Sequence, residues 1–76
     1  MDKAKMLEGF SKRLRCHMIL NDVTYTMLAE WMDVPPHTVW NWTHGRHYPR
    51  IPELIGICNT LRVSADYLIM GDCDEA

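Results

Sequence analysis

Seventy-six residues, 47% of them hydrophobic and 24% charged, make one small domain: the chain is too short for a second core and too apolar for a disordered tail. The formal net charge of −2 speaks mildly against a nucleic-acid partner, because neutralising phosphates is the main sequence-independent term in such complexes. Its distribution matters more than its sum. Lys12, Arg13 and Arg15 lie in an acid-free stretch between Phe10 and Asn21, and Arg46 and Arg50 lie with His37, His44 and His47 in a second one between Val34 and Pro52. The acids Asp72, Asp74 and Glu75 gather in a tail over residues 72–76, so two basic stretches remain that can face a phosphate backbone.

In chain order, Leu7, Phe10, Leu14 and Met18 recur at helical spacing, which predicts an amphipathic helix over Lys5–Leu20 that Asn21 and Asp22 end. Thr24 offers a capping oxygen to a short helix over Tyr25–Met32 with Leu28, Ala29 and Met32 inward. Asp33-Val34-Pro35-Pro36 is a sharp break, and Pro36 suits the first position of a third helix over Pro36–His44, with Val39 and Trp42 inward and Gly45 closing it. After a turn-rich loop, Pro52 opens a fourth helix on Leu54, Ile57, Cys58 and Leu61; Ser64 caps a fifth that Gly71 closes. No strand pattern or internal repeat is visible. The fold class expected is therefore all-α, one compact bundle of about five helices over residues 1–76.

Several chemistries find no support. No apolar run approaches the roughly eighteen residues of a membrane span, and Met1-Asp2-Lys3-Ala4-Lys5 leads into a charged amphipathic stretch without a signal-peptide core; a cytoplasmic protein with no membrane partner is expected. Cys16, Cys58 and Cys73 are odd in number and form no CxxC pair, so buried or idle thiols are expected, with neither disulfide nor zinc site. His37, His44 and His47 have no carboxylate between Val34 and Pro52 to join them in a metal site. Cys16 and His17 are helix neighbours whose side chains point apart, and no nucleophile, base and orienter assemble; no enzyme, cofactor or small-molecule substrate is expected.

Two short helices joined by a tight turn, each with an apolar inner face, leave the outer face of the second free to enter a major groove about 12 Å wide. With Val39 and Trp42 inward, His37, Asn41 and His44 line that outer face at i, i+4, i+7. From about Phe10 to Gly71 the chain resembles the lambda-repressor-like (Cro/CI, XRE-type) helix-turn-helix regulators. The resemblance is carried by Val23-Thr24, Leu28-Ala29-Glu30, Val34, Thr38-Val39, Asn41-Trp42, Gly45-Arg46 and Pro49. The later Leu54, Ile57-Cys58, Leu61, Val63-Ser64, Asp66-Tyr67-Leu68 and Gly71 extend it.

That resemblance implies a transcriptional regulator, a phage or prokaryotic repressor, whose recognition helix starts at Pro36 and binds double-stranded DNA. One such helix reads too few bases to find a site alone, so a homodimer on a palindromic operator is expected. It places base reading on Pro36, His37, Thr38 and Asn41, and phosphate contacts on Thr24, Tyr25, His44 and Arg46, with Arg50 and Arg13 behind them. Independently of the resemblance, the Asn41 amide can pair with adenine, His37 can donate to guanine, and Pro36 and the Thr38 methyl can meet a thymine methyl. Free N–H groups at the start of the second helix make an anion site.

Tyr25 stands where the family commonly has glutamine, Asp33 where the turn commonly has glycine, and Pro35 where a serine or threonine often caps. Trp40 is unusual on the flank of a recognition helix; packing against the first helix is the expectation, contact with a sugar or thymine methyl the alternative. A dimer patch is expected around Tyr67, Ile69 and Met70. The competing reading is a protein-interaction module of the same fold, an anti-repressor or antitoxin, suggested by the net acidity and by Trp31 and Trp40.

Overall fold

The structure, a computed structural model, describes residues 3–71; the acidic tail and Cys73 lie outside the described residues. Five helices follow in order: α1 Lys3–Leu20, α2 Tyr25–Met32, α3 Pro36–Thr43, α4 Ile51–Leu61 and α5 Ala65–Met70. No strand occurs among the described residues. No helix there is long and apolar enough to cross a membrane.

The inward positions of each helix meet in one core. Phe10, Leu14 and Met18 of α1 pack with Leu28 and Ala29 of α2, Val39 and Trp42 of α3, Ile57 and Leu61 of α4 and Leu68 of α5. α1 lies against α3 and α5, α2 against α3 and α4, and α4 against α5. Burial of these side chains is the main favourable term, and the Phe10 ring also meets the Tyr48 ring at a centroid distance of 5.6 Å.

The connections reuse one device. A residue in the left-handed region directly follows α2 and α4, Asp33 (φ 60°) and Arg62 (φ 58°), and one, Asp22 (φ 57°), stands two residues beyond α1. Next comes a valine, Val23, Val34 or Val63, whose N–H donates to the carbonyl five residues back, Met18, Ala29 or Cys58, at 2.8–3.0 Å. Each valine also packs on the core. This is the hydrophobic Schellman stop, and it feeds directly into the cap of the next helix: Thr24 accepts from Met27 N–H and Ser64 from Tyr67 N–H, while Pro35 has no side-chain cap bond. The turn between α2 and α3 is thus held tight by Asp33 and Val34 with only Pro35 left before α3.

α1 also clamps two helix ends. The last four carbonyls of an α-helix lack intrahelical partners, and in α3 all four are taken. Trp40 O accepts from the Thr43 hydroxyl at 2.9 Å, Asn41 O from the Arg46 N–H at 3.0 Å, Trp42 O from the Ser11 hydroxyl at 2.7 Å and Thr43 O from Arg15 Nη1 at 2.6 Å. At α5, Arg13 Nε donates to Leu68 O at 2.9 Å and Nη2 to Ile69 O at 2.7 Å. Gly71 (φ +70°) makes room for this guanidinium, since a Cβ there would lie 2.7 Å from Arg13 Nη1. Two cations thus sit at helix C-termini, where the helix dipole favours positive charge. No buried side-chain nitrogen or oxygen among the described residues is left unpartnered.

Three boundaries differ from expectation. α1 begins at Lys3 rather than Lys5. α4 begins at Ile51, one residue ahead of Pro52, because a proline is also tolerated at the second helical position, where its missing N–H forfeits no intrahelical bond. α3 ends at Thr43, with His44 as cap residue and Gly45 (φ 71°) in the left-handed conformation beyond it.

Candidate nucleic-acid interface

The surface begins at the N-terminus of α2. Thr24 Oγ1 accepts from Met27 N–H at 3.1 Å and Thr24 O from Leu28 N–H at 3.0 Å. Helix geometry leaves the Tyr25 and Thr26 N–H groups without intrahelical partners, so this end can receive an anion. The α3 N-terminus differs in kind: Pro35 and Pro36 have no N–H, and Thr38 N–H is engaged by Pro35 O at 2.9 Å. His37 N–H is then the one backbone donor left free there, so side chains must do more of the recognition at that end.

Of the residues singled out for base reading, Pro36 and His37 are exposed while Thr38 and Asn41 are half-buried. Of those singled out for phosphate, Thr24, His44 and Arg46 are exposed and Tyr25 is half-buried. Four of the eight are joined by a feature that sequence reading missed. The Trp40 indole stacks on His44 with centroids 4.0 Å apart and planes 12° apart, lies nearly parallel to His37 at 6.2 Å, and carries the Arg46 guanidinium 5.7 Å over its ring. Tyr25 of α2 meets His44 edge-on at 6.3 Å. One aromatic array therefore runs from the start of α2 across the flank of α3, with Arg46 against it, where cation–π attraction favours a guanidinium. The spacing was visible as His37, Trp40 and His44 at i, i+3, i+7, all on one flank of a helix.

His44 is held in a defined way. Its Nδ1 lies 3.0 Å from Trp40 O and 3.0 Å from Thr43 Oγ1. A carbonyl only accepts, so the bond to Trp40 O requires the proton on Nδ1; Nε2 is then an acceptor in the neutral ring and a donor in the charged one.

Several expectations need correction. Trp40 is half-buried, lies outside the core cluster and finds its aromatic partners on its own helix, so it is not the packing residue against α1 that was expected. Arg13 serves the fold first: Nε and Nη2 are both committed to α5 carbonyls. The first basic stretch therefore serves mainly the fold, with Arg15 holding Thr43 O and Lys12 alone exposed. In the expected dimer patch only Met70 is largely exposed, at 55%. Tyr67 packs edge-on against His17 at 5.3 Å and Ile69 lies against the core. Exposed apolar side chains also lie at Ile51 and Ile55, one turn apart on α4, and at Ile19 and Leu20.

Among the described residues no three His, Cys, Asp or Glu side chains converge as metal ligands. Cys16 is exposed and Cys58 half-buried, and burial pushes the Cys58 thiol above its ordinary range. Less thiolate and less access both slow alkylation. Iodoacetamide at about pH 8 should therefore modify Cys16 several-fold faster than Cys58, an order that denaturant should abolish; peptide mass spectrometry reads it directly.

No family model, curated protein or solved structure compared with this chain matches it.

Proposed function

We propose that this chain is a cytoplasmic, sequence-specific regulator of transcription of the helix-turn-helix type, a phage or prokaryotic repressor that reads double-stranded DNA with α3. The observation that carries the reading is the joint surface of the α2 N-terminus and the α3 flank. It bears anion-seeking N–H groups, Arg46, two histidines and Asn41, and no carboxylate occurs in the sequence between Val34 and Pro52. In the proposed mode Thr24 and Tyr25 take one phosphate, His44 and Arg46 another, and α3 lies in the major groove with Asn41 and His37 toward base edges. Pro36 and the Thr38 methyl supply apolar contact.

One such helix reads few bases, so two copies on a palindrome are proposed. A mobility shift of the full chain on random-sequence duplex at two salt concentrations tests the reading. Binding that weakens as salt rises supports it, whereas no shift at any protein concentration up to the high micromolar range removes it.

The second reading, a protein-interaction module, draws on the exposed Trp31 (52%), Ile51 and Ile55. Absence of a shift in the same experiment would favour it.

A further inference from the structure

We propose that the cleft between α2 and α3 takes the C5-methyl edge of a thymine or a 5-methylcytosine, with the adjoining deoxyribose, and so makes pyrimidine methylation a determinant of which duplex the chain selects. This rests on the DNA-binding reading above. The cleft measures about 380 Å³ and is lined by Tyr25, Thr26, Pro36, His37 and Trp40. Its walls are mostly carbon: two aromatic rings, a pyrrolidine and a threonine methyl, with no carboxylate or lysine among them.

Its position between two polar functions identifies the occupant. One wall is the start of α2, where Tyr25 and the free N–H groups suit a phosphate; the other is His37 at the start of α3, suited to a base edge. A nucleotide whose phosphate rests on the first and whose base faces the second has its sugar and its C5 edge in between, over the cleft. In the major groove the apolar group presented at that edge is the thymine C5-methyl, which 5-methylcytosine reproduces.

The walls are also poorly able to collapse. Pro36 is a ring, and Trp40 is held by stacking on His44 at 4.0 Å and by Arg46 at 5.7 Å. A missing methyl therefore leaves a gap rather than a relaxed contact. Burying one methyl is worth roughly a 3–10-fold change in affinity.

The test uses the full chain and a duplex enriched by it from a random pool. Each thymine is replaced in turn by deoxyuridine, symmetrically in both half-sites. At one position per half-site the substitution should weaken binding roughly 3–10-fold per methyl. Cytosine there also changes the hydrogen-bonding edge of the pair, so the methyl is read by comparing the two cytosines: 5-methylcytosine should bind roughly 3–10-fold more tightly than cytosine at that position. Trp40→Ala and, separately, Pro36→Ala should bring the thymine-to-uracil ratio toward one, with helical circular dichroism retained. If the chain enriches a site but every thymine tolerates deoxyuridine within twofold, or the site has no thymine, this proposal is overturned and the DNA-binding reading stands. If it binds no duplex, the DNA-binding reading itself falls.

Discussion

Phe10→Ala is expected to remove about 3–5 kcal/mol of folding stability, the ordinary cost of deleting a fully enclosed aromatic ring. Phe10 is 0% exposed, belongs to the core shared by all five helices and meets the Tyr48 ring at a tilt of 57°. A domain of 76 residues has roughly 4–11 kcal/mol in total by the usual per-residue range. The substitution should therefore leave a substantially unfolded chain near 37 °C. Lys12→Ala, on the exposed side of the same helix, should move stability by no more than about 0.5 kcal/mol. Urea denaturation followed by circular dichroism separates the two. A Phe10→Ala cost below about 1 kcal/mol would be inconsistent with a ring at the centre of the core.

Asn41→Ala should cost about 1–3 kcal/mol on the preferred DNA site and relax the preference at one base position. Arg46→Ala should instead weaken all sequences alike and lower the slope of affinity against salt by about one phosphate contact. The structure adds a condition to each. Asn41 is half-buried, and its carbonyl accepts from Arg46 N–H, a bond that alanine at position 41 keeps, so the loss should be confined to the amide. Arg46 lies on Trp40, and its removal should also loosen the Trp40–His44 stack, visible as a change in indole fluorescence. Both variants should keep the parent's helical signal. Equal weakening of every sequence by both substitutions would contradict the role given to α3.

Much of the fold was legible because its punctuation is local. Thr24 and the Pro35-Pro36 pair bounded α2 correctly, and Ser64 and Gly71 bounded α5. The inward residues of α1 to α4 followed from helical periodicity, whereas Leu68 of α5 did not. What was missed is of two kinds. The Arg13 and Arg15 clamps join residues 55 and 28 apart in sequence, and no window-based pattern holds such a pair; charge on the α1 face reads equally well as a phosphate site.

The Trp40 array, by contrast, was within reach. Trp40 lies three residues after His37 and four before His44, which is stacking distance along a helix. The repeated turn of a left-handed residue, a valine and a cap also stood in the sequence, as Asp22-Val23-Thr24, Asp33-Val34-Pro35 and Arg62-Val63-Ser64. It went unseen because glycine is the usual sign of such a stop, and here aspartate and arginine fill the position.

Selection of binding sites from fully random duplex DNA with the intact chain tests the proposed function most directly. The expected outcome is a two-fold symmetric consensus whose half-sites are centred about 10 base pairs, or a multiple of that, apart. Its enrichment should be lost with Asn41→Ala at one position per half-site. A pool indistinguishable from the input after repeated rounds would contradict sequence-specific DNA recognition by this chain. A single asymmetric element would contradict the paired arrangement.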